Sequence, residues 1–209
     1  MKLQIAFDST DLEKSVETAI KVANYADIIE IGSLLIYKHG VKAIETFRHH
    51  LPQKTLLADV KIIDRGKEAA SLILNAGADW VTVMAGTSKD VIHAVCTEAH
   101  NLNKKVMLDL IDAGSPGQSA LDAKSWGVDA ILFHQAYDEK QPFLFLDKWD
   151  MVRGNTNLPI FISAKIKRET FDDMLNIKSD GIVIGKAIIN ADNPIEEARY
   201  FYDLCYSKK

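Results

Sequence analysis

What most constrains this chain is a rhythm. Eight short apolar runs recur along its 209 residues: LQIAF (3–7), ADIIEIG (26–32), TLLADV (55–60), WVTVMA (80–85), KVMLDL (105–110), AILFH (130–134), PIFIS (159–163) and GIVIG (181–185). With Asp8, Glu30, Asp59, Ala85, Asp109, His134, Ser163 and Gly185 as their ends, successive ends lie 22, 29, 26, 24, 25, 29 and 22 residues apart. That interval holds one strand and one helix. The runs are nearly continuous in hydrophobicity rather than alternating, as strands covered on both faces are, so parallel pairing is implied. Between them Leu12, Val16, Ala19, Ile20 and Ala23, then Val41, Ile44 and Phe47, then Ala69, Leu72, Ile73 and Ala76 recur at helical spacing, and Asp90–Ala99 and Gln118–Trp126 continue the pattern. Gly77 and Gly127 stand where helix C-caps are expected. Eight such units in about 200 residues match the lower size limit of a closed barrel. The expected fold is therefore α/β, a (β/α)8 TIM barrel forming a single domain over residues 1–209. A doubly wound open sheet shares the alternation and is the alternative.

The totals narrow the function. Hydrophobic residues make up 47% and charged residues 26%, which places the chain among globular proteins rather than disordered ones. A net charge of −4 lacks the concentrated positive surface that a nucleic acid or an anionic membrane requires, so neither is expected as a partner. Cys96 and Cys205 are far apart and without metal-type spacing, which suits a reducing compartment. No stretch of 18 apolar residues exists and the start carries no signal-type apolar region, so the expected location is the cytoplasm.

The polar residues at the strand ends say more. In a barrel the C-terminal ends converge on one mouth, which would gather Asp8, Glu30, Asp59 with Lys61, Asp109, His134, Ser163, and Gly185 with Lys186. Packing gains nothing from carboxylates brought so close, and they repel unless a cation or proton sits among them. Oxygen ligands such as Glu30 and Asp59 suit Mg2+, and nothing in the sequence has zinc spacing. Glu30 and Asp109 are acids embedded in apolar strands, and His134 closes another. Asp8 reads equally well as a cap for the first helix, where Ser9, Thr10 or Asp11 would also serve, and Asp64 as a cap before Arg65. Asp112, Asp129 and Asp138 read as loop or cap residues, and Phe143, Phe145 and Trp149 as a helix packing face. The segment 181-GIVIGKAI-188 turns from a strand into an apparent helical turn, where backbone N–H groups near Gly185 and the Lys186 side chain could hold an anion.

With ADVKIID around Asp59, Lys61 and Asp64, the embedded Glu30 and the eighth-strand Gly185-Lys186 in view, the chain resembles the orotidine monophosphate decarboxylase suprafamily. Within it the chain is most similar to the 3-hexulose-6-phosphate synthase and 3-keto-L-gulonate-6-phosphate decarboxylase branch, and the likeness runs from QIAFD through LLADVKIID and GVDAILFH to NPIEEARYF. The resemblance implies a homodimer of barrels, Mg2+ on Glu30 and Asp59, Lys61 as the central cation, and Asp64 reaching into the partner's site. It also implies substrate-hydroxyl contacts for Asp8 and Asp109 and a proton-transfer role for His134. The reaction implied is lysis or formation of a carbon–carbon bond in a phosphorylated ketose through an enediolate.

Departures within the branch bear on the substrate. Asp109 stands where the decarboxylases resemble one another in having Glu, and 134-HQAYD-138 has Tyr137 in place of the arginine of their H-x-x-R-D pattern; both favour the synthase. Ser163 is nearer to the decarboxylase Thr than to the synthase Ala. Ala164-Lys165 replaces a Gly-Gly whose backbone approaches phosphate, so either the side chains there narrow the pocket or Lys165 adds a phosphate contact directly. The alternatives are the decarboxylase, a sugar-phosphate isomerase or epimerase, and a non-catalytic phosphosugar-binding relative.

Overall fold

The computed structural model describes residues 1–139 and 147–207. Eight parallel strands close into a barrel in chain order, with β8 hydrogen-bonded back to β1, which excludes the open sheet. They are β1 (Lys2–Phe7), β2 (Ile28–Ile31), β3 (Thr55–Ile62), β4 (Trp80–Met84), β5 (Lys105–Asp109), β6 (Ala130–His134), β7 (Ile160–Ser163) and β8 (Gly181–Ile184). The described helices are α1 (Leu12–Val22), α2 (Ser33–His39), α3 (Val41–His50), α4 (Gly66–Asn75), α5 (Lys89–Asn101), α6 (Pro116–Trp126), α7 (Trp149–Gly154), α8 (Arg168–Asn176), α9 (Lys186–Ile189) and α10 (Pro194–Ser207). Phe143 and Phe145 lie outside the described residues; Trp149 opens α7 and packs its ring 5.9 Å from that of Phe133, as a packing face should.

Strand residues alternate between two environments because successive side chains point to opposite faces. Leu3, Ile5, Ile29, Ile31, Leu56, Val106, Leu108, Ile131, Ile160, Ile162, Ile182 and Ile184 pack outward under the helices. The other parity, Ala6, Ile28, Leu57, Met107, Ala130, Leu132, Phe161 and Val183, with Trp80, fills the barrel interior. Gly181 has the inward parity too, and a Cβ there would lie 2.3 Å from the Phe161 ring, so its hydrogen side chain makes room for that ring. Continuing the inward parity toward the C-terminal rim gives Asp8, Glu30, Asp59, Thr82, Asp109, His134, Ser163 and Gly185 the inward-facing positions at that end of the strands.

The opposite rim is fastened by a repeated device. β2, β4, β6 and β8 are each preceded by an aspartate, and Asp27, Asp79, Asp129 and Asp180 accept the N–H of Leu3, Leu56, Val106 and Ile160 at 2.8, 2.9, 2.8 and 2.9 Å. Each returns its own N–H to the carbonyl of that same residue. Early strand N–H groups would otherwise lose their partner, and a buried unpaired donor costs about 1–3 kcal/mol. Asp129 is therefore a cap, though of a strand. Four strand pairs are stapled at the bottom, which leaves the residues of the top rim available for chemistry.

Candidate active site

β3 is the irregular strand. Leu57 and Ala58 pair with Trp80 and Val81, but the next partner of Val83 is Ile62, so Asp59, Val60 and Lys61 face the single residue Thr82. The bulge puts Lys61 at φ 49°, a left-handed backbone that a side chain bears at a cost of about 1–2 kcal/mol. Its N–H is recovered by Thr82 Oγ1 at 2.9 Å. The bulge therefore aims both Asp59 and the Lys61 ammonium into the mouth.

Four neighbouring strands, β3 to β6, meet there through one chain of contacts. Lys61 Nζ lies 3.0 Å from Asp59 Oδ2 and 3.0 Å from Asp109 Oδ2. Asp109, wholly buried, accepts from His134 Nδ1 at 3.1 and 3.0 Å through its two oxygens and takes the N–H of Ile111 at 3.0 Å. A carboxylate can only accept, so Nδ1 carries a proton and Nε2 is the nitrogen left for chemistry. Asp59 is further held by Thr82 Oγ1 and Ser33 Oγ, each donating at 2.8 Å. Burial alone would lower the Lys61 pKa, but Asp59 and Asp109 outweigh it and hold the ammonium above the ordinary lysine range. Burial works against Asp109 as well, and His134 and Lys61 overcome it, keeping its carboxyl below the usual value. His134 follows the same logic: burial lowers its pKa, Asp109 raises it, and the net is upward from 6.5.

The last balance gives a measurable expectation. Asp109→Asn removes the attraction while burial and the Lys61 charge remain, so the His134 pKa should fall below 6.5. Titration of its ring protons by NMR checks this, and an unchanged midpoint would show that Asp109 does not set it.

Glu30 is 7% exposed and accepts a hydrogen bond from Gln4 Nε2 at 2.6 Å. Burial, and then the Asp59 charge, push its carboxyl up to about 7. Such a group is short of positive charge. The donors at hand are carboxylate oxygens, the ligand type of hard divalent cations, and a cation that keeps several of its waters needs only one or two of them, so Glu30 and Asp59 are the residues that could hold one. Among the described residues no group of three or more His, Cys, Asp and Glu side chains is placed to hold a metal ion.

The remaining expected residues are distributed around this network. Asp8 does not cap α1, whose first turn is capped by Asp11 through Lys14 N–H; it reaches across to α2 and accepts Leu34 N–H at 3.0 Å. That approach depends on Gly32, where a Cβ would sit 2.7 Å from Asp8 Cα. Ser163 closes β7 in register with His134. Gly185 precedes α9, and the Lys186 ammonium bonds to the Tyr137 hydroxyl at 2.8 Å. Lys165 Nζ stands 4.9 Å from the centre of the same tyrosine ring. Asp64 is outside the network of its own barrel: it is exposed and accepts the N–H of Arg65 at 2.7 Å.

Sequence reasoning missed Gln4, Ser33 and Thr82. Gln4 and Thr82 carry the same signal as Glu30, a polar side chain inside an apolar run at inward parity, but without the charge that makes such a residue stand out.

Comparison with known proteins agrees with this architecture. The model of the orotidine 5'-phosphate decarboxylase / HUMPS family matches residues 1–201. A 3-hexulose-6-phosphate synthase of Staphylococcus aureus (strain USA300) is 32% identical over 203 residues, covering 95% of this chain and 96% of that protein. The crystal structure of 3-hexulose-6-phosphate synthase from Salmonella typhimurium superposes with a TM-score of 0.94 at 29% identity over 100% of both chains. That of 3-keto-L-gulonate-6-phosphate decarboxylase from Vibrio cholerae gives 0.81 at 28% identity over 97% of both. With the family model spanning nearly the whole chain, this barrel belongs to the orotidine 5'-phosphate decarboxylase / HUMPS family.

Proposed function

We propose that the chain is a carbon–carbon lyase acting on a phosphorylated ketose, with the reaction of a 3-hexulose-6-phosphate synthase: formaldehyde joined to the enediolate of ribulose 5-phosphate. The observation that carries this reading is the Asp59–Lys61–Asp109–His134 chain at the barrel mouth. It provides a fixed cation beside a buried acid and a histidine whose Nε2 is not taken up by that acid.

His134 Nε2 takes the proton from the carbon next to the ketone, whose electrons move to the carbonyl oxygen and leave an enediolate. The ammonium of Lys61, held between two carboxylates, stands by the negative charge that develops, and because it is already oriented it loses nothing to rearrangement during the step. The enediolate carbon then bonds to formaldehyde, and His134 returns the proton to the new oxygen. Asp109 keeps the imidazole in one orientation through both transfers. Glu30 and Asp59 would hold Mg2+, which when bound supplies further positive charge to the enediolate oxygens. Asp8 binds a substrate hydroxyl, Asp109 acts through Lys61 and His134, Ser163 lies beside His134, and Lys165, Gly185 and Lys186 take the phosphate.

The test is formaldehyde consumption by the purified protein with ribulose 5-phosphate and Mg2+. Carbon dioxide release from 3-keto-L-gulonate 6-phosphate instead would replace this reading with the decarboxylase. Proton exchange without cleavage would replace it with an isomerase or epimerase, and inactivity in all three assays with a binding role. In location the reading is cytoplasmic, which accords with the absence, among the described residues, of a helix long and apolar enough to cross a membrane.

The same reading includes a homodimer in which Asp64 enters the partner's site. Supporting it, Ile63 and Leu72 are 64% and 60% exposed beside Val60 and Ala69, an apolar surface adjoining Asp64 that suits a second copy. Lys61→Ala and Asp64→Ala homodimers should each be inactive. Mixing their protomers should restore about a quarter of wild-type turnover, since half the dimers are mixed and each has one intact site. No recovery on mixing would count against a shared site.

A further inference from the structure

Tyr137 follows β6, Lys165 follows β7 and Lys186 follows β8, so three adjacent rim positions converge. The Tyr137 ring is 59% exposed, and both lysines are exposed as well, so packing does not require their association. Even so, Lys186 Nζ lies 4.1 Å and Lys165 Nζ 4.9 Å from the centre of that one ring. Two ammonium groups repel each other, and the ring's negative face offsets only part of this. Lys165 is also held by the Glu139 carbonyl at 3.2 Å, and Asp138 brings one negative charge near the ring; a bound anion between the two ammonium groups would offset the repulsion that remains.

The hydroxyl adds a direction. Its oxygen accepts the Lys186 N–H at 2.8 Å, and among the described residues its own proton has no acceptor. Lys186 also holds the phenol below its usual pKa, which makes it a better donor.

We propose that Tyr137 builds the anion end of the substrate site: its ring and hydroxyl hold Lys165 and Lys186 together, and its O–H is donated to a phosphate oxygen of the sugar phosphate. This rests on the phosphosugar reading above and deepens it, because it makes a side chain absent from the expected ligand set the organiser of that end. Tyr137 touches the non-reacting part of the substrate, so its loss weakens binding without slowing the chemical step.

The experiment compares Tyr137→Phe and Tyr137→Leu with Lys165→Ala and Lys186→Ala. It measures kcat and KM for ribulose 5-phosphate and the inhibition constant of inorganic phosphate, a probe that needs no turnover of its own. Phenylalanine keeps the ring and loses the hydroxyl; KM and the phosphate constant should both rise about tenfold, with kcat within about twofold. Leucine loses both and should cost more. If both tyrosine variants bind phosphate like the wild type while the lysine variants do not, the role of Tyr137 is overturned and the phosphate reading survives. If the lysine variants are also unaffected, the phosphate reading falls with it. A fall in kcat at constant KM would equally overturn the proposal, since it would place Tyr137 in the chemistry.

Discussion

Lys61→Ala should abolish turnover, lowering kcat by about 10²–10³-fold or more, in a barrel that remains folded. The ammonium bridges Asp59 and Asp109, so its removal takes away both the charge beside the reacting oxygens and the clamp between two strands. Asp109, wholly buried, would retain, among the described residues, His134 as its cationic partner and draw that proton more tightly, which makes the histidine a poorer shuttle. Stability should also fall. Breaking a buried pair costs about 3–5 kcal/mol, and since Lys61 keeps 23% of its side chain exposed the lower figure applies. Part of that is the backbone's own: alanine inherits the left-handed φ of 49°, whereas Lys61→Gly relieves it by about 1 kcal/mol. The glycine variant should therefore be the more stable of the two and just as inactive. Steady-state rates with urea unfolding separate these effects, and turnover within about tenfold of wild type would remove Lys61 from its assigned role.

The barrel was legible because its signal is periodic. Eight apolar runs at nearly constant spacing survive any uncertainty about single residues, and each proved to be a strand. Position within the runs was legible for the same reason, since inward parity follows from the alternation of strand side chains and places Glu30, Asp59, Asp109 and His134 together once the barrel closes. What the pattern could not contain was the bulge. Nothing in ADVKIID says that three residues will face Thr82 alone, because register is fixed by the neighbouring strand and not by the sequence of one. Asp8 shows a second kind of limit: a cap on the first helix and a place at the mouth read equally well for it, yet tertiary folding carried it to the start of the next helix over. Tyr137 shows a third, since an exposed loop residue has no periodicity and its partners come from two other strand ends.

The second large effect concerns Glu30 and separates metal from fold. Without a cation its carboxyl sits near 7 in the folded chain against an ordinary 4.5 when the chain is unfolded, so the folded form binds more protons between these values. Stability must then fall as pH rises from 4.5 to 7 and stay lower above it, by roughly 3 kcal/mol at 1.36 kcal/mol per pH unit. Mg2+ at a hundred times its dissociation constant should return about 3 kcal/mol at pH 8, and less at pH 5, where a proton must first leave. Glu30→Gln keeps the size of the side chain and removes the charge that faces Asp59. The metal-free variant should therefore be more stable than the metal-free wild type at pH 8, lose this part of the pH dependence, gain nothing from Mg2+ and lose turnover. Gln4 can satisfy the new amide by turning its own, so the substitution leaves no additional buried group unpaired. Thermal unfolding at both pH values, with Mg2+ and with chelator, reads all of this except turnover. A wild type indifferent to Mg2+ at pH 8, or a variant still stabilised by it, would mean that Glu30 is not a ligand and that its neutral form, at ordinary pH, is simply the folded state's answer to burial beside Asp59.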